Sequence, residues 1–269
     1  LLGRIQREDP SFKAATDVET EEQVISGMGE LHLEIITTRI QRDHGIDVQV
    51  GAPLVAYRQT LATEKDIEGK QIKQSGGSGQ YAVVNIRFSP LPLDAEESYE
   101  FVDSTKGGVV PDVYIPAVRK GVAESMNSGG KLGWPFVGVR AELDLGKHHE
   151  VDSSELAFQL AAERAFREVS EGNFKLLEPV MRLNVQVPEE YIGDVIGDLN
   201  TRRVAIKEIT MDGPLREIDG QVPIAEMFKY AGTLRGLTQG RGNFSMEPSG
   251  YQVVPSLVQE KLVKERLGT

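Results

Sequence analysis

His148 and His149 stand side by side in the stretch Leu145-Gly-Lys-His-His-Glu-Val-Asp-Ser-Ser-Glu155, and they are two of the four histidines in the chain. Imidazoles beside carboxylates and hydroxyls raise two catalytic readings, a nucleophilic hydrolase and a metal site. His149, Asp152 and Ser153 are too close in one loop for a triad, whose members need independent backbone support. Ser153 is also better used at a helix start. His148, His149, Glu150 and Asp152 lack the helical i, i+4 histidine spacing of a metal site and any group to orient a ligating ring. Projection remains. The loop follows an alternating strand, Phe136–Leu145, and precedes an amphipathic helix, Leu156–Val169. Asp152 is the expected N-cap, with Glu155 closing a capping box. A loop pinned in this way holds polar side chains out with little slack.

A second stretch, Ser75-Gly-Gly-Ser-Gly-Gln80, places three glycines in four positions, Gly76, Gly77 and Gly79. Such a run permits tight turns and close approach of backbone to a phosphate. No Gly-Lys-Ser/Thr follows and no helix begins there, so it is not a P-loop. It reads as the tip of a hairpin between Gln71–Gln74 and Tyr81–Phe88. Asp194 and Asp198 lie one turn apart on a helix and read as a solvated face. No complete nucleotide-binding or catalytic constellation is present.

Composition narrows the class. The chain has 269 residues, 39% hydrophobic and 26% charged, which fits a globular protein of about two domains. It has no cysteine, hence no disulfide and no thiolate metal site. No apolar run approaches the roughly 18 residues of a membrane span. A soluble, cytoplasmic protein is expected. The start, Leu-Leu-Gly-Arg-Ile-Gln, lacks Met and signal-peptide grammar, and leads us to expect a fragment. A net charge of −11 argues against nucleic acid as a partner unless bases cluster locally. They do in two windows. Gly69–Ser89 holds Lys70, Lys73 and Arg87 with no acid, and Phe228–Asn243 holds Lys229, Arg235 and Arg241 with no acid. Tyr81, Phe88, Phe228 and Tyr230 lie among them, so both windows are candidate RNA-facing patches.

The elements that carry these loops follow from periodicity. Residues 1–10 read as a helix stopped at Asp9-Pro10. Strands at Phe12–Thr16 and Gln23–Ser26 lead to a helix at Glu30–Gln41, with Leu31, Ile35 and Thr38 on one face and Leu33, Ile36 and Ile40 beside it. A strand is expected at Ile46–Val50. That order is a split βαββαβ unit without its first strand. The middle of the chain alternates strands with helices at Pro111–Met126 and Ser153–Val169. From Met181 the order β-α-β-β-α-β returns complete: a strand to Val187, a helix to Asn200, strands at Arg203–Ile209 and Arg216–Val222, a helix at Ala225–Leu234 and a strand at Asn243–Met246. Residues 255–266 read as a short helix.

At this point the residues resemble a family. Ile25-Ser-Gly-Met-Gly-Glu-Leu-His-Leu-Glu-Ile-Ile36 is similar to a helix-bearing segment in the third domain of elongation factor G. Gly76–Tyr81, Tyr114–Val118, His149–Glu155, Gly193–Asn200 and Thr238-Gln-Gly-Arg-Gly242 resemble its fourth and fifth domains, in the family order. The resemblance implies an α+β protein, two ferredoxin-like βαββαβ domains, the first lacking its first strand, flanking a ribosomal-protein-S5-like α/β domain. It implies domains at 1–53, 54–175 and 176–254, with a helical tail at 255–269. It further implies the C-terminal part of a translational GTPase that moves tRNA and mRNA through the ribosome. On this reading no cofactor belongs to the fragment, and GTP and Mg bind a missing N-terminal domain. The expected partners are ribosomal RNA and proteins and the tRNA–mRNA pair, with no membrane, for a monomer. The fourth-domain tip, Gly76, Gly77, Ser78, Gly79, Gln80, Lys147, His148, His149, Glu150 and Asp152, would enter the decoding site. His149 matches the position that carries diphthamide in the eukaryotic and archaeal homologue. Lys229, Arg235, Gln239 and Arg241 would face large-subunit RNA. The sequence departs from the family at Ser78, at Lys147-His148, at Val204, where glycine is usual, and at Gly236. These departures leave open a paralogue specialised for ribosome recycling or protection.

Overall fold

The computed structural model describes residues 1–18, 21–48, 50–51, 54–73 and 79–268. Helix α1 (Leu2–Glu8) stops where the sequence predicts, at an extended Asp9. Strands β1 (Lys13–Thr16) and β2 (Gln23–Ser26) pair antiparallel, Lys13 opposite Ser26. Helix α2 (Glu30–His44) ends on a left-handed Gly45. The core here is Ile5, Phe12, Ile36 and Ile40, with Leu33 and Ile25 against it. Thus the Leu33–Ile36–Ile40 side of α2 is the buried one. Ile35 is 57% exposed and Thr38 is exposed, which corrects the expected face. Both rows satisfy helical spacing, and the apolar groups of α1 and Phe12 select between them. Leu31's side chain is outside the described part.

The middle domain begins with β3 (Arg58–Leu61), β4 (Lys65–Lys73), β5 (Gln80–Pro90) and β6 (Tyr99–Asp103). A 3-10 turn at Asp112–Tyr114 leads into α3 (Ile115–Ser128), with Pro116 in its first turn, where a missing N–H costs nothing. Then come β7 (Val139–Lys147) and α4 (Glu155–Ser170). The sheet order is β4-β5-β7-β6, with β6 parallel to β7 and the other pairs antiparallel. Consequently β4, β6 and β7 end, and β5 begins, at one end of the sheet. One apolar core joins the sheet to both helices, including Val84, Ile86, Phe88, Val122, Phe158 and Phe166. Gly69 lets α4 lie against β4, because a Cβ there would strike the Ala161 carbonyl.

The third domain runs β8 (Phe174–Pro188), a 3-10 turn Glu189–Tyr191, α5 (Ile192–Thr201), β9 (Ala205–Asp212) and β10 (Leu215–Pro223). A 3-10 segment Ile224–Met227 precedes α6 (Tyr230–Leu237), and β11 (Asn243–Val253) and α7 (Ser256–Leu267) follow. The order β11-β8-β10-β9 is the ferredoxin-like one. The single helix predicted at Ala225–Leu234 is broken in two by Lys229, whose φ is +63°. Val204 packs into the space left by Gly220, where a Cβ would stand 3.0 Å from its Cγ1.

The chain divides into two units, Leu1–Ala56 with Glu178–Tyr251, and Tyr57–Leu177 with Gln252–Thr269. The second unit includes α7, predicted as a separate tail. Val258 and Leu262 pack with Leu132, Trp134 and Leu176, and the Gln59 side-chain amide bonds to the Gly129 carbonyl (2.9 Å) nearby. Gln259 Oε1 accepts the Leu176 N–H at 2.8 Å. No helix among the described residues is long and apolar enough to cross a membrane.

Of the strand expected at Ile46–Val50, the described residues 46, 47, 48 and 50 form no ladder, and residue 49 lies outside the described residues. Ile46 and Val50 are exposed.

Candidate nucleic-acid interface

The loop after β7 is braced against the start of β5. The Ser153 hydroxyl donates to the Tyr81 carbonyl at 2.7 Å, and the same oxygen accepts the His149 N–H at 2.8 Å. The Tyr81 N–H returns a bond to the Asp152 carbonyl at 2.8 Å, and the Ser153 N–H closes a turn on the His149 carbonyl at 3.1 Å. The Tyr114 hydroxyl adds a contact to the Ser153 carbonyl at 3.3 Å, with its ring stacked 4.7 Å from Phe158 in the core. With Ser153 so occupied, the helix cap passes to Ser154, whose side chain accepts the Ala157 N–H at 3.2 Å. This corrects the expected cap at Asp152.

Asp152 instead faces the glycine loop and His149. A Cβ on Gly79 would stand 2.5 Å from the Asp152 carboxyl carbon, so a larger residue there would have to displace that side chain. The Asp152 carboxylate lies 3.5 Å from His149 Nδ1. The N–H groups of Val151 and Asp152 both point at that nitrogen, each at 3.3 Å. Nδ1 is therefore an acceptor, and the neutral ring carries its hydrogen on Nε2, leaving Nε2–H for an outside partner. The Tyr81 ring lies 6.1 Å from that of His149, tilted by 53°.

The structure thus brings together Gly79, Gln80, Lys147, His148, His149, Glu150 and Asp152 at one end of the sheet. Lys147, His148, His149 and Glu150 are exposed, and Gln80 is half-buried with its Oε1 accepting from Gln71 at 2.7 Å. His148 turns sideways, its Nδ1 3.3 Å from the Val109 carbonyl. Gly76, Gly77 and Ser78 lie outside the described residues. Asp198, read as solvated, is instead paired with Arg202 at 2.7 Å.

In the first basic window Arg87 and Lys70 are paired. Across the sheet Arg87 meets Asp66 at 3.0 Å and Asp144 at 3.5 Å, while Lys70 meets Glu68, two residues earlier on β4, at 2.5 Å. Asp66 and Asp144, outside the sequence window, reach Arg87 from the strands on either side of β5. In the last domain Lys229, Arg235, Gln239 and Arg241 are exposed at the two ends of α6 and in the loop beyond it. Buried Thr238 braces that loop by accepting the Gly242 N–H at 2.8 Å and donating to the Leu234 carbonyl at 2.7 Å. Gln239 is held at φ +51°. Arg241 is bonded to the Tyr191 hydroxyl and to Glu190, and its guanidinium lies 4.7 Å over the Tyr191 ring. The Tyr191 hydrogen bond, with Glu190, raises its pKa above the usual value.

Sequence reasoning missed Tyr81 and Ser153 as the brace, because partners 72 residues apart leave no local signal. It also missed residues 104–110, beside the tip, although Lys106-Gly107-Gly108 directly after a strand was a legible sign.

Three family models match the chain in order. "Elongation Factor G, domain III" covers residues 1–52, "Elongation factor G, domain IV" covers 53–172, and "Elongation factor G C-terminus" covers 175–262. Elongation factor G of Fervidobacterium nodosum is 52% identical over 258 residues, 96% of this chain and 37% of that protein. Elongation factor G of Aquifex pyrophilus is 49% identical over 262 residues, 97% of this chain and again 37% of the relative. The chain therefore spans well under half the length of these relatives. A crystal structure of a protein from Thermus thermophilus aligns over 100% of this chain and 40% of its own, with 39% identity and a TM-score of 0.85. Matched in order along nearly all of its length, the chain belongs to the elongation factor G family, of which it carries the domain III, domain IV and C-terminal portions.

Proposed function

We propose that this chain is the ribosome-engaging C-terminal part of a translational GTPase that drives tRNA–mRNA translocation. The observation that carries the reading is the braced tip. A loop held at Tyr81, Asp152 and Ser153 presents Lys147 and the Nε2–H of His149 past the end of a sheet, on a family member's domain IV. We take domains at 1–53, 54–175 and 176–254 with the tail at 255–269; the matched ranges 1–52, 53–172 and 175–262 lie near the first two boundaries.

No bond is made or broken at this tip. Its work is steric and electrostatic: a rigid element enters the decoding A site beside the codon–anticodon duplex and holds the moved tRNA–mRNA from slipping back. Contacts to RNA shape and phosphate suit such a surface better than base reading. GTP and Mg belong to an N-terminal domain of the parent. Lys229, Arg235 and Gln239 face large-subunit RNA, with Arg241 joining when it leaves Glu190. The factor works as a monomer in the cytoplasm, with ribosomal RNA, ribosomal proteins and tRNA–mRNA as partners.

The test is a full-length factor carrying His149→Ala, followed by single-turnover translocation and GTP hydrolysis. Translocation should slow on the order of 10-fold, equivalent to about 1.4 kcal/mol, with hydrolysis unchanged. An unchanged translocation rate would remove the tip from the mechanism. Subunit splitting without translocation would favour the recycling paralogue.

A further inference from the structure

We propose that the loop of residues 104–110 is a third element of the tip, and that its apex, Lys106-Gly107-Gly108, takes the phosphodiester backbone of RNA. The proposal rests on the reading of the tip as RNA-facing. Its place is set by topology. Strand β6 runs parallel to β7, Asp103 opposite Leu143, so the loop after β6 emerges beside the loop after β7.

Both ends of this loop are fixed. At the entry, the Ser104 N–H bonds to the Leu143 carbonyl at 2.9 Å and its hydroxyl to Glu142 at 2.7 Å. Thr105 gives its N–H and hydroxyl to Asp103 at 3.0 and 2.8 Å. At the exit, Val110 is 1% exposed and fills the space at Gly146, where a Cβ would strike it. His148 Nδ1 contacts the Val109 carbonyl at 3.3 Å and so ties this loop to the histidine loop.

The apex between these anchors is open. Lys106, Gly107 and Gly108 are exposed. The glycines have φ of +70° and +69°, a turn that other residues adopt at a cost, and a Cβ on either would meet nothing within 4 Å. Among the described residues Lys106 pairs with no carboxylate, and neither do Lys73 and Lys147 at the ends of β4 and β7. Within the sheet, by contrast, Arg87 is held by Asp66 and Asp144, and Arg140 by Glu100 and Glu142. Asp103 is occupied by Thr105, and Asp152 faces Gly79 and His149. The apex therefore offers an ammonium and backbone N–H groups, and no exposed apolar side chain to anchor a protein. Donors alone on a glycine turn match phosphate oxygens.

The chain lacks cysteine, so single cysteines can be placed in the full-length factor at Lys106→Cys and His149→Cys and loaded with a short photo-crosslinker. RNA crosslinks from both positions, on neighbouring nucleotides, are expected, and sequencing identifies whether ribosomal RNA, tRNA or mRNA supplies the phosphate. Crosslinks from 149 without any from 106, or crosslinks from 106 to protein alone, would overturn the proposal and leave the tip reading standing. Silence at both positions would overturn the tip reading and this proposal with it. Independently, Lys106→Ala should lower the slope of log affinity for the ribosome against log salt by roughly 0.7 to 0.9, the value for one phosphate contact. An unchanged slope would contradict the contact.

Discussion

The Ser153 hydroxyl reaches the Tyr81 carbonyl at 2.7 Å, joining the first turn before α4 to the first residues of β5. The same oxygen holds the His149 N–H, so one side chain fixes the histidine loop to the sheet. Replacing Ser153 with alanine removes both bonds and leaves the Tyr81 and His149 main chain to water. A loss of about 0.5–1.5 kcal/mol is expected, with faster amide exchange at His149 and little change in the exchange of α4. Exchange measured by NMR checks this. Equal loosening of α4 would mean that the hydroxyl supports the helix rather than the loop.

A Cβ on Gly79 would strike the Asp152 carboxyl group. Gly79→Ala should displace the Asp152 side chain while the core, which it does not touch, keeps its stability to within about 0.5 kcal/mol. Translocation by the full-length factor should fall in step with the displacement. A variant that folds normally and translocates at the wild-type rate would show that the close approach is incidental.

In the last domain, Arg203 forks onto Glu178 at 2.7 and 2.9 Å and also reaches Glu226 at 2.8 Å. The Glu178 side chain is 1% exposed. The Glu178 bond, joined by Glu226, raises the guanidinium pKa further above its already high value. Arg203→Ala takes the guanidinium from a buried carboxylate and should cost about 3–5 kcal/mol in urea unfolding. Arg203→Lys, which keeps charge but loses the fork, should cost less. A loss below about 1 kcal/mol for the alanine variant would contradict the assignment.

Acid should loosen the first domain through Asp9 and Glu8. Hydrogen bonds from Ser11, then His32, hold the Asp9 pKa below its ordinary value, and Arg39, then Arg4, do the same for Glu8. A carboxylate that binds its proton more weakly when folded stabilises the fold above its unfolded pKa, near pH 4, and loses that contribution as pH falls through the folded value. Asp9→Asn should flatten the acid limb of unfolding, followed on the Phe12 ring by NMR. An acid limb of the same steepness in the variant would exclude Asp9 as its source.

Much of the fold was legible in the sequence because it is written in local periodicity. The alternation of Met181–Val187 and the apolar row Phe158, Ala162, Ala165, Phe166 and Val169 lie where their spacing puts them, in a strand and on a buried helix face. The errors share a cause. Which face of α2 is buried depends on Ile5 and Phe12, earlier in the chain. The cap shifted from Asp152 to Ser154 because Ser153 and Asp152 are drawn to Tyr81, His149 and Gly79. The pairing of Arg87 was hidden for the same reason, since Asp66 and Asp144 come from other strands to meet it. The tip histidine was legible because a strand, a polar loop and a helix follow one another without a gap. Its brace and the neighbouring loop of residues 104–110 were settled by strand pairing.

The most direct measurement places one cysteine at position 149 of a full-length factor, attaches an iron chelate, and maps hydroxyl-radical cuts in ribosomal RNA. Cuts in the small-subunit decoding region, lost on competition with unlabelled factor, are the result expected of a tip in the A site. Stable ribosome binding with no cuts in that region would contradict it.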